Sequence, residues 1–198
     1  MEGERGMRKK LIDLPAIICL EDFAGNYSIY IDKVYELFKR DLIDNRPKFG
    51  SSKLAMKFNP LFQDRAYTFY HMTHTGEIEK DRLPDLRRCE RIEWAKIAIE
   101  NVEKWDLKFW RQERNGKKNR ICIQLSVEDD VDYYVILDVR REYILLWTAF
   151  IAELEHAKRK KEEEYKKWVL ETKGKYYTPD SLVEEIRKEM TKKQEPIQ

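Results

Sequence analysis

The chain has almost no excess of either charge. Lys and Arg total 39 against 37 Asp and Glu, a formal net charge of +2, so bulk electrostatics assigns no polyanionic partner, although a balanced total can hide a basic face. Cysteine is sparse as well. Cys19, Cys89 and Cys122 are odd in number and far apart, which fits neither a disulfide framework nor a Cys-x-x-Cys metal site and points to a reducing, intracellular setting. No apolar run reaches the ~20 residues of a transmembrane helix. Arg8-Lys9-Lys10 before Leu11–Leu20 superficially resembles a signal peptide, but Asp13, Pro15 and Glu21 interrupt it and no obvious small-residue cleavage site follows. These absences predict a soluble, cytoplasmic protein without membrane contact. Internal repeats are also lacking.

What is present is a folding sequence. Aromatics reach 12% of 198 residues, which argues against overall disorder, and the length suffices for one domain with appendages. The reading divides the chain into an N-terminal helical segment over 1–44, an α+β domain over 45–172 ending in a long helix, and a short C-terminal helix and tail over 173–198. Residues 1–24 read as a loose entry segment. Tyr30, Val34, Leu37, Phe38 and Leu42 recur at helical spacing over Tyr27–Leu42, with Asn26 or Ser28 as cap. Asn45-Arg46-Pro47 and Gly50-Ser51-Ser52 break the chain. Leu54–Phe58 and Tyr67–His71 read as short strands, Gly76–Cys89 as a charged loop, and Ile92–Lys104 as a helix.

Four strands follow, over Lys108–Glu113, Arg120–Val127, Asp132–Asp138 and Glu142–Thr148. Ile121, Ile123, Leu125 and Val127 alternate with Cys122, Gln124 and Ser126 at the period of a strand. Asn115-Gly116 is a hairpin signal, and Asp129-Asp130 and Arg140-Arg141 make short connections, so a four-stranded antiparallel meander is expected. Phe150–Thr172 reads as a long helix carrying Glu162–Lys166 and Glu163–Lys167 pairs one turn apart. Gly174 ends it, Thr178-Pro179-Asp180 opens a short helix over Ser181–Met190, and the last residues fray.

The segment that suggests chemistry is His71-Met72-Thr73-His74 followed by Asp81-Arg82-Leu83-Pro84-Asp85-Leu86-Arg87-Arg88-Cys89-Glu90-Arg91. It holds two of only three histidines and a block of arginines. Histidine titrates nearest neutral pH and arginine grips phosphate with two prongs, a combination suited to acid–base chemistry on phosphodiesters. A His-x-x-His pair also suits zinc, but no third ligand lies nearby in sequence, so no metal and no cofactor are expected. Trp110 with Arg111 and Arg114 suits stacking on single-stranded RNA. Trp147 suits the core or a stacking platform.

Together with Thr68-Phe69-Tyr70-His71-Met72 and the run from Asp138-Val139-Arg140 to Leu145-Leu146-Trp147-Thr148-Ala149-Phe150, this block resembles phage-associated proteins of the barnase–EndoU–colicin–RelE-like nuclease superfamily over roughly residues 45–165. The resemblance implies a four-stranded sheet as active-site floor and metal-independent RNA cleavage, in which 2′-OH attack leaves a 2′,3′-cyclic phosphate. DNA, lacking the 2′-OH, would be spared. It implies His71, Arg88 and Thr148 as catalytic candidates, with Arg87, Arg91, Asp138 and Arg140 binding substrate; His74, three residues from His71, and Trp110 join them on their own chemistry, as catalytic and substrate-binding candidates. RNA is the implied partner, with an immunity or phage protein as a second. Two other readings stay open: a non-catalytic phage structural or interaction protein that docks through its long charged helix, and a nucleic-acid binder that uses the arginines without cleavage. For each site residue a bland role competes: a half-buried histidine at an element end, arginines pinned to carboxylates, Asp138 and Arg140 shaping a hairpin, and a β-branched Thr148 suited to a strand.

Overall fold

The computed structural model describes residues 13–127 and 131–192. The Asp129-Asp130 connection, the signal-peptide-like start and the frayed tail lie outside the described residues.

The architecture is mixed α+β. A 3₁₀ turn at Leu20–Phe23 leads into α1 (Tyr27–Phe38), and a π-helical stretch, Lys39–Asp44, continues it. Asn26 caps α1, its side chain accepting from the Ile29 amide at 3.3 Å. Two short strands, β1 (Lys48–Phe49) and β2 (Ser52–Ala55), precede α2 (Tyr67–Thr73). A small hairpin of β3 (His74–Thr75) and β4 (Leu83–Pro84) leads to α3 (Leu86–Glu90) and α4 (Trp94–Glu100). Then come β5 (Lys108–Arg114), β6 (Lys117–Ser126), β7 (Asp132–Val139) and β8 (Ile144–Ala152), followed by α5 (Glu155–Glu171) and α6 (Pro179–Lys192). No described helix is long and apolar enough to cross a membrane.

The sheet is larger than the expected meander. β5 to β8 do run antiparallel in succession, but they form part of a six-stranded sheet of order β1-β2-β8-β7-β6-β5, in which β2 joins β8 in parallel. Its alternation buries two faces. On one, Ile121, Ile123, Leu125, Val135, Leu137 and Leu146 meet Tyr30, Phe38, Phe69, Ile99, Leu182 and Ile186 in the main core. On the other, Trp110, Cys122, Tyr134 and Ile136 pack beneath Ala157, Tyr165 and Trp168 of α5.

Several local expectations are corrected. Tyr67–His71 is helix, not strand: all seven residues of α2 are buried, and burial on every side leaves no alternation to tell helix from strand. The strand expected over Leu54–Phe58 is β2, Ser52–Ala55, and β1 precedes it. The loop expected over Gly76–Cys89 contains β4 and α3, because the Asp85 side chain caps α3 through the Arg88 amide at 3.3 Å. The helix expected over Ile92–Lys104 is confined to α4. No helix leaves directly after Thr148; β8 continues to Ala152, with Phe150 opposite Tyr134 and Ile151 opposite Tyr133, and α5 starts only at Glu155. Both faces of this stretch meet apolar layers, so its apolar run carries no alternation to separate strand from helix.

α6 is tied to the β1–β2 turn. Asp180 Oδ1 accepts from the Ser51 amide at 2.9 Å and from Ser51 Oγ at 2.8 Å. Gly50 turns there at φ +61°, and a Cβ on it would lie 2.5 Å from Asp180 Oδ1. Gly50→Ala is therefore expected to destabilise by about 1–3 kcal/mol and to lower the thermal midpoint by roughly 2–4 °C per kcal/mol. An unchanged midpoint in calorimetry would show that this turn does not lock α6 in place.

Candidate functional site at the bulged edge of the sheet

β2 pairs only with Ile144 and Leu145 of β8, while α2 and α3 pack against β8. Here the β7–β8 ladder slips: Ile136 faces Thr148 but Leu137 faces Leu146, leaving Trp147 without a partner residue. A bulge re-aims its side chain. The Trp147 ring lies 5.1 Å from the His71 ring, and the Arg120 guanidinium sits 4.9 Å from the indole centroid.

The helix beside the bulge depends on distant residues for both its ends. Ala66 supplies no side-chain cap; instead the Tyr67 and Thr68 amides donate to the Phe58 and Lys57 carbonyls at 3.0 and 2.9 Å. The last carbonyls of a helix lack intrahelical partners. Thr148 Oγ1 donates to the His71 carbonyl at 2.7 Å, and the Asp85 amide donates to the Thr73 carbonyl at 2.8 Å. Arg88 Nη1 reaches the His71 and His74 carbonyls and Thr148 Oγ1, each at 3.4 Å. Its Nε pairs with Asp85 Oδ2 at 3.0 Å, and its guanidinium lies 5.5 Å from the Phe150 ring. Burial lowers the Arg88 pKa, with Asp85 opposing. His71, Arg88 and Thr148 thus do meet, but they meet at the His71 backbone carbonyl rather than at its imidazole. Arg88 and Thr148 are a C-terminal clasp on α2.

The two imidazoles are neutral at pH 7. Burial, then Arg82, Lys57, Arg88 and Arg120, depress His71 to about 4. A Glu79 carboxylate oxygen lies 3.5 Å from His71 Nε2, yet Glu79 is largely exposed, and burial with four cations outweighs it. His74 is likewise depressed to about 4, chiefly by burial, with Arg82 and Arg65 adding while a Tyr70 backbone hydrogen bond opposes. Their tautomers follow from their partners. Arg82 Nη1 stands 3.1 Å from His71 Nδ1; guanidinium only donates, so Nδ1 accepts and the proton sits on Nε2, a buried atom without a hydrogen-bond partner. Thr73 Oγ1 spends its proton on the Phe69 carbonyl at 2.8 Å and lies 2.9 Å from His74 Nδ1. His74 Nδ1 is therefore the donor, which leaves Nε2 with a free lone pair.

A strip of cations surrounds this pair. Among the described residues, Lys57, Arg82 and Arg120 form no ion pair, although Lys57 Nζ lies 3.7 Å from the Tyr67 ring centroid. Arg82 Nε is buried without a partner. Burial lowers the Arg120 pKa, with Arg114 and Arg140 adding and Asp138 opposing. Asp138, opposite Arg120 in the ladder, accepts from Asn119 and pairs with Arg140 at 2.6 Å, and it makes no ion pair with Arg120.

The remaining sequence-chosen residues lie elsewhere or carry structure. Arg87 is exposed and pairs with Glu153 at 3.2 Å. Arg91 is buried, ion-paired with Glu90, and lies 5.2 Å from the Trp94 ring. Trp110 is not a stacking platform but a fully buried core residue, because strand alternation turns it under α5, against Tyr134 and Tyr165. Its neighbour Arg111 pairs with Glu189 at 2.7 Å. Sequence reasoning missed Lys57, Arg82 and Arg120 as members of the site. Arg120 had a signal, since it lies on the Cys122–Gln124 side of an alternating strand, and Arg82 lay within the arginine block itself; Lys57 had none, because tertiary packing alone brings it to His71.

Two outcomes test this geometry. The histidines' folded pKa of about 4 lies below the ordinary 6.5, so the unfolded chain takes up protons first as pH falls. Stability is complete above about pH 6.5 and declines toward pH 4 by up to roughly 3 kcal/mol per histidine; denaturant titrations should show the decline, and His71→Gln/His74→Gln should flatten it. Arg88→Ala should destabilise by about 1.5–3 kcal/mol, the range for hydrogen bonds to a charged group, whereas a surface phosphate contact would leave thermal unfolding unmoved. No protein-family model, no curated protein and no solved structure matches this chain, and the site is read on its geometry alone.

Proposed function

We propose that the protein binds single-stranded RNA at the bulged edge of its sheet. The observation that carries this reading is Arg120 lying 4.9 Å from the Trp147 centroid without an ion pair, in a strip with Lys57 and Arg82. Unpaired cations cost self-repulsion, which a phosphate backbone relieves by neutralising them and releasing its counterions. Aromatic side chains beside such cations offer stacking surfaces to any base. Partner selection by the clasp residues is secondary, since Arg88 is committed to the α2 carbonyls and Asp85.

A second reading, metal-independent cleavage through 2′-OH attack, is favoured by one observation: His74 Nε2 keeps a lone pair for a proton. His71 is poorly placed as the base, because Arg82 occupies its only lone pair. The phage association and an immunity partner rest on the family resemblance.

Fluorescence anisotropy with a labelled single-stranded RNA should show saturable binding that weakens with salt. Arg120→Ala should weaken binding about tenfold and reduce the salt slope by about 0.7, the value for one phosphate on a single strand. Binding that ignores Arg120→Ala would refute the site. The same mixtures in EDTA, resolved on a gel, test cleavage: a 2′,3′-cyclic end lost about 10²–10⁴-fold in His74→Gln supports the second reading, and intact RNA supports binding alone. Failure of both assays would favour an interaction role without RNA.

A further inference from the structure

A separate cleft of about 250 Å³ opens where the last turns of α5 face the start of β5, and the α5–α6 connection runs along it. We infer that this cleft is a nucleotide site, in which a planar base stacks on Tyr176 beside Tyr165 and Trp168 and its phosphate is met by Lys108 and Lys175.

Three features of the walls favour a flat, anionic ligand. The rings are tilted rather than stacked against one another: Trp168 and Tyr177 have centroids 5.2 Å apart at 41°, and Tyr165 and Trp168 lie 6.4 Å apart at 32°. Tyr177 is buried in the core and Tyr165 and Trp168 are half-buried, so Tyr176 is the ring most open to a ligand, and base–aromatic stacking tolerates any base. Tyr176, although it lines the cleft, is 77% exposed. A tyrosine that covers nothing in the free protein would be buried by a ligand stacked against it. Its position follows from the reversal before it, where Lys173 and Gly174 both take left-handed backbone at φ 53° and 68°.

The cations decide between ligand classes. Lys108 Nζ lies 5.1 Å from the Tyr165 centroid and Lys175 Nζ 4.4 Å from that of Tyr177. With ammonium groups already beside two of the rings, a cationic guest such as a methylated amine would meet repulsion. Each lysine has a carboxylate partner, Glu162 at 3.2 Å for Lys108 and Glu185 at 2.8 Å for Lys175, and Asp106 also lines the cleft. An ammonium has three donors, so each keeps capacity for a phosphate oxygen at the cleft rim. The ligand is either a free mononucleotide or one unstacked nucleotide of a strand; both carry the same chemistry.

Isothermal titration calorimetry on the full chain separates these sources. The titrants are adenosine monophosphate, uridine monophosphate, adenosine and a single-stranded octanucleotide, the last in the Arg120→Ala background so that the sheet site does not contribute. Saturable binding of a monophosphate, weakened about tenfold or more by Tyr176→Ala as expected for loss of one stacking ring, supports a free nucleotide. Binding of the octanucleotide alone, with the same dependence on Tyr176, supports a nucleotide within a strand. Lys175→Gln should reduce the preference for adenosine monophosphate over adenosine. Tyr176 is exposed, so its variant keeps the fold. Absence of any binding that depends on Tyr176 overturns the site, and equal affinity for adenosine and its monophosphate overturns the role of the lysines. Persistence of mononucleotide binding in Arg120→Ala distinguishes this cleft from the bulged edge.

Discussion

The carbonyl of His71 is the point on which this end of the molecule depends. It accepts from Thr148 in the sheet and from Arg88 in the next helix, and so joins α2, α3 and β8 at one atom. A seven-residue helix has little stability of its own. α2 exists because its end groups, buried and therefore costly when unpaired, find partners in Lys57, Phe58, Asp85, Arg88 and Thr148. The side chains that look most catalytic in the sequence are largely employed in this way.

That employment shapes the electrostatics of the site. Holding α2 against β8 draws the two imidazoles out of water while Arg82 and Arg120 converge on them, and the rings stay neutral. Among the described residues Lys57, Arg82 and Arg120 form no ion pair, while Asp85 pairs with Arg88 and Asp138 with Arg140 and Asn119. The bulge then turns Trp147 toward the same place. A neutral histidine pair, cations without ion pairs and a half-buried indole thus lie together, although the overall charge is only +2.

The long-range pattern was readable where it repeats. Alternation over Ile121–Leu125 marked β6, the turn at Asn115-Gly116 joined it to β5, and Asn26 marked the start of α1. The failures have a common cause. α2 carries no local cap, since its ends are satisfied by residues from other segments, and its Tyr, Thr and Phe favour strands. β8 was cut short and α5 begun early because Ala149 to Ala152 lie between two apolar layers, where side-chain period carries no information. The choice of Trp110 as a base platform failed because only the position of α5 decides which face of β5 is covered.

By itself, then, the sequence determined the α+β class, the run of antiparallel strands and the segment around which the site forms, because periodicity and turn chemistry act over a few residues. It also marked His71, Arg88 and Thr148 as belonging together. Only the tertiary structure decided what they do there. Which atom of His71 they approach, which arginines are left without carboxylates, and which tryptophan faces His71 depend on packing between segments far apart in the chain. Local propensity has no access to those distances, and desolvation, which sets the charge of both histidines, arises only when the segments close on one another.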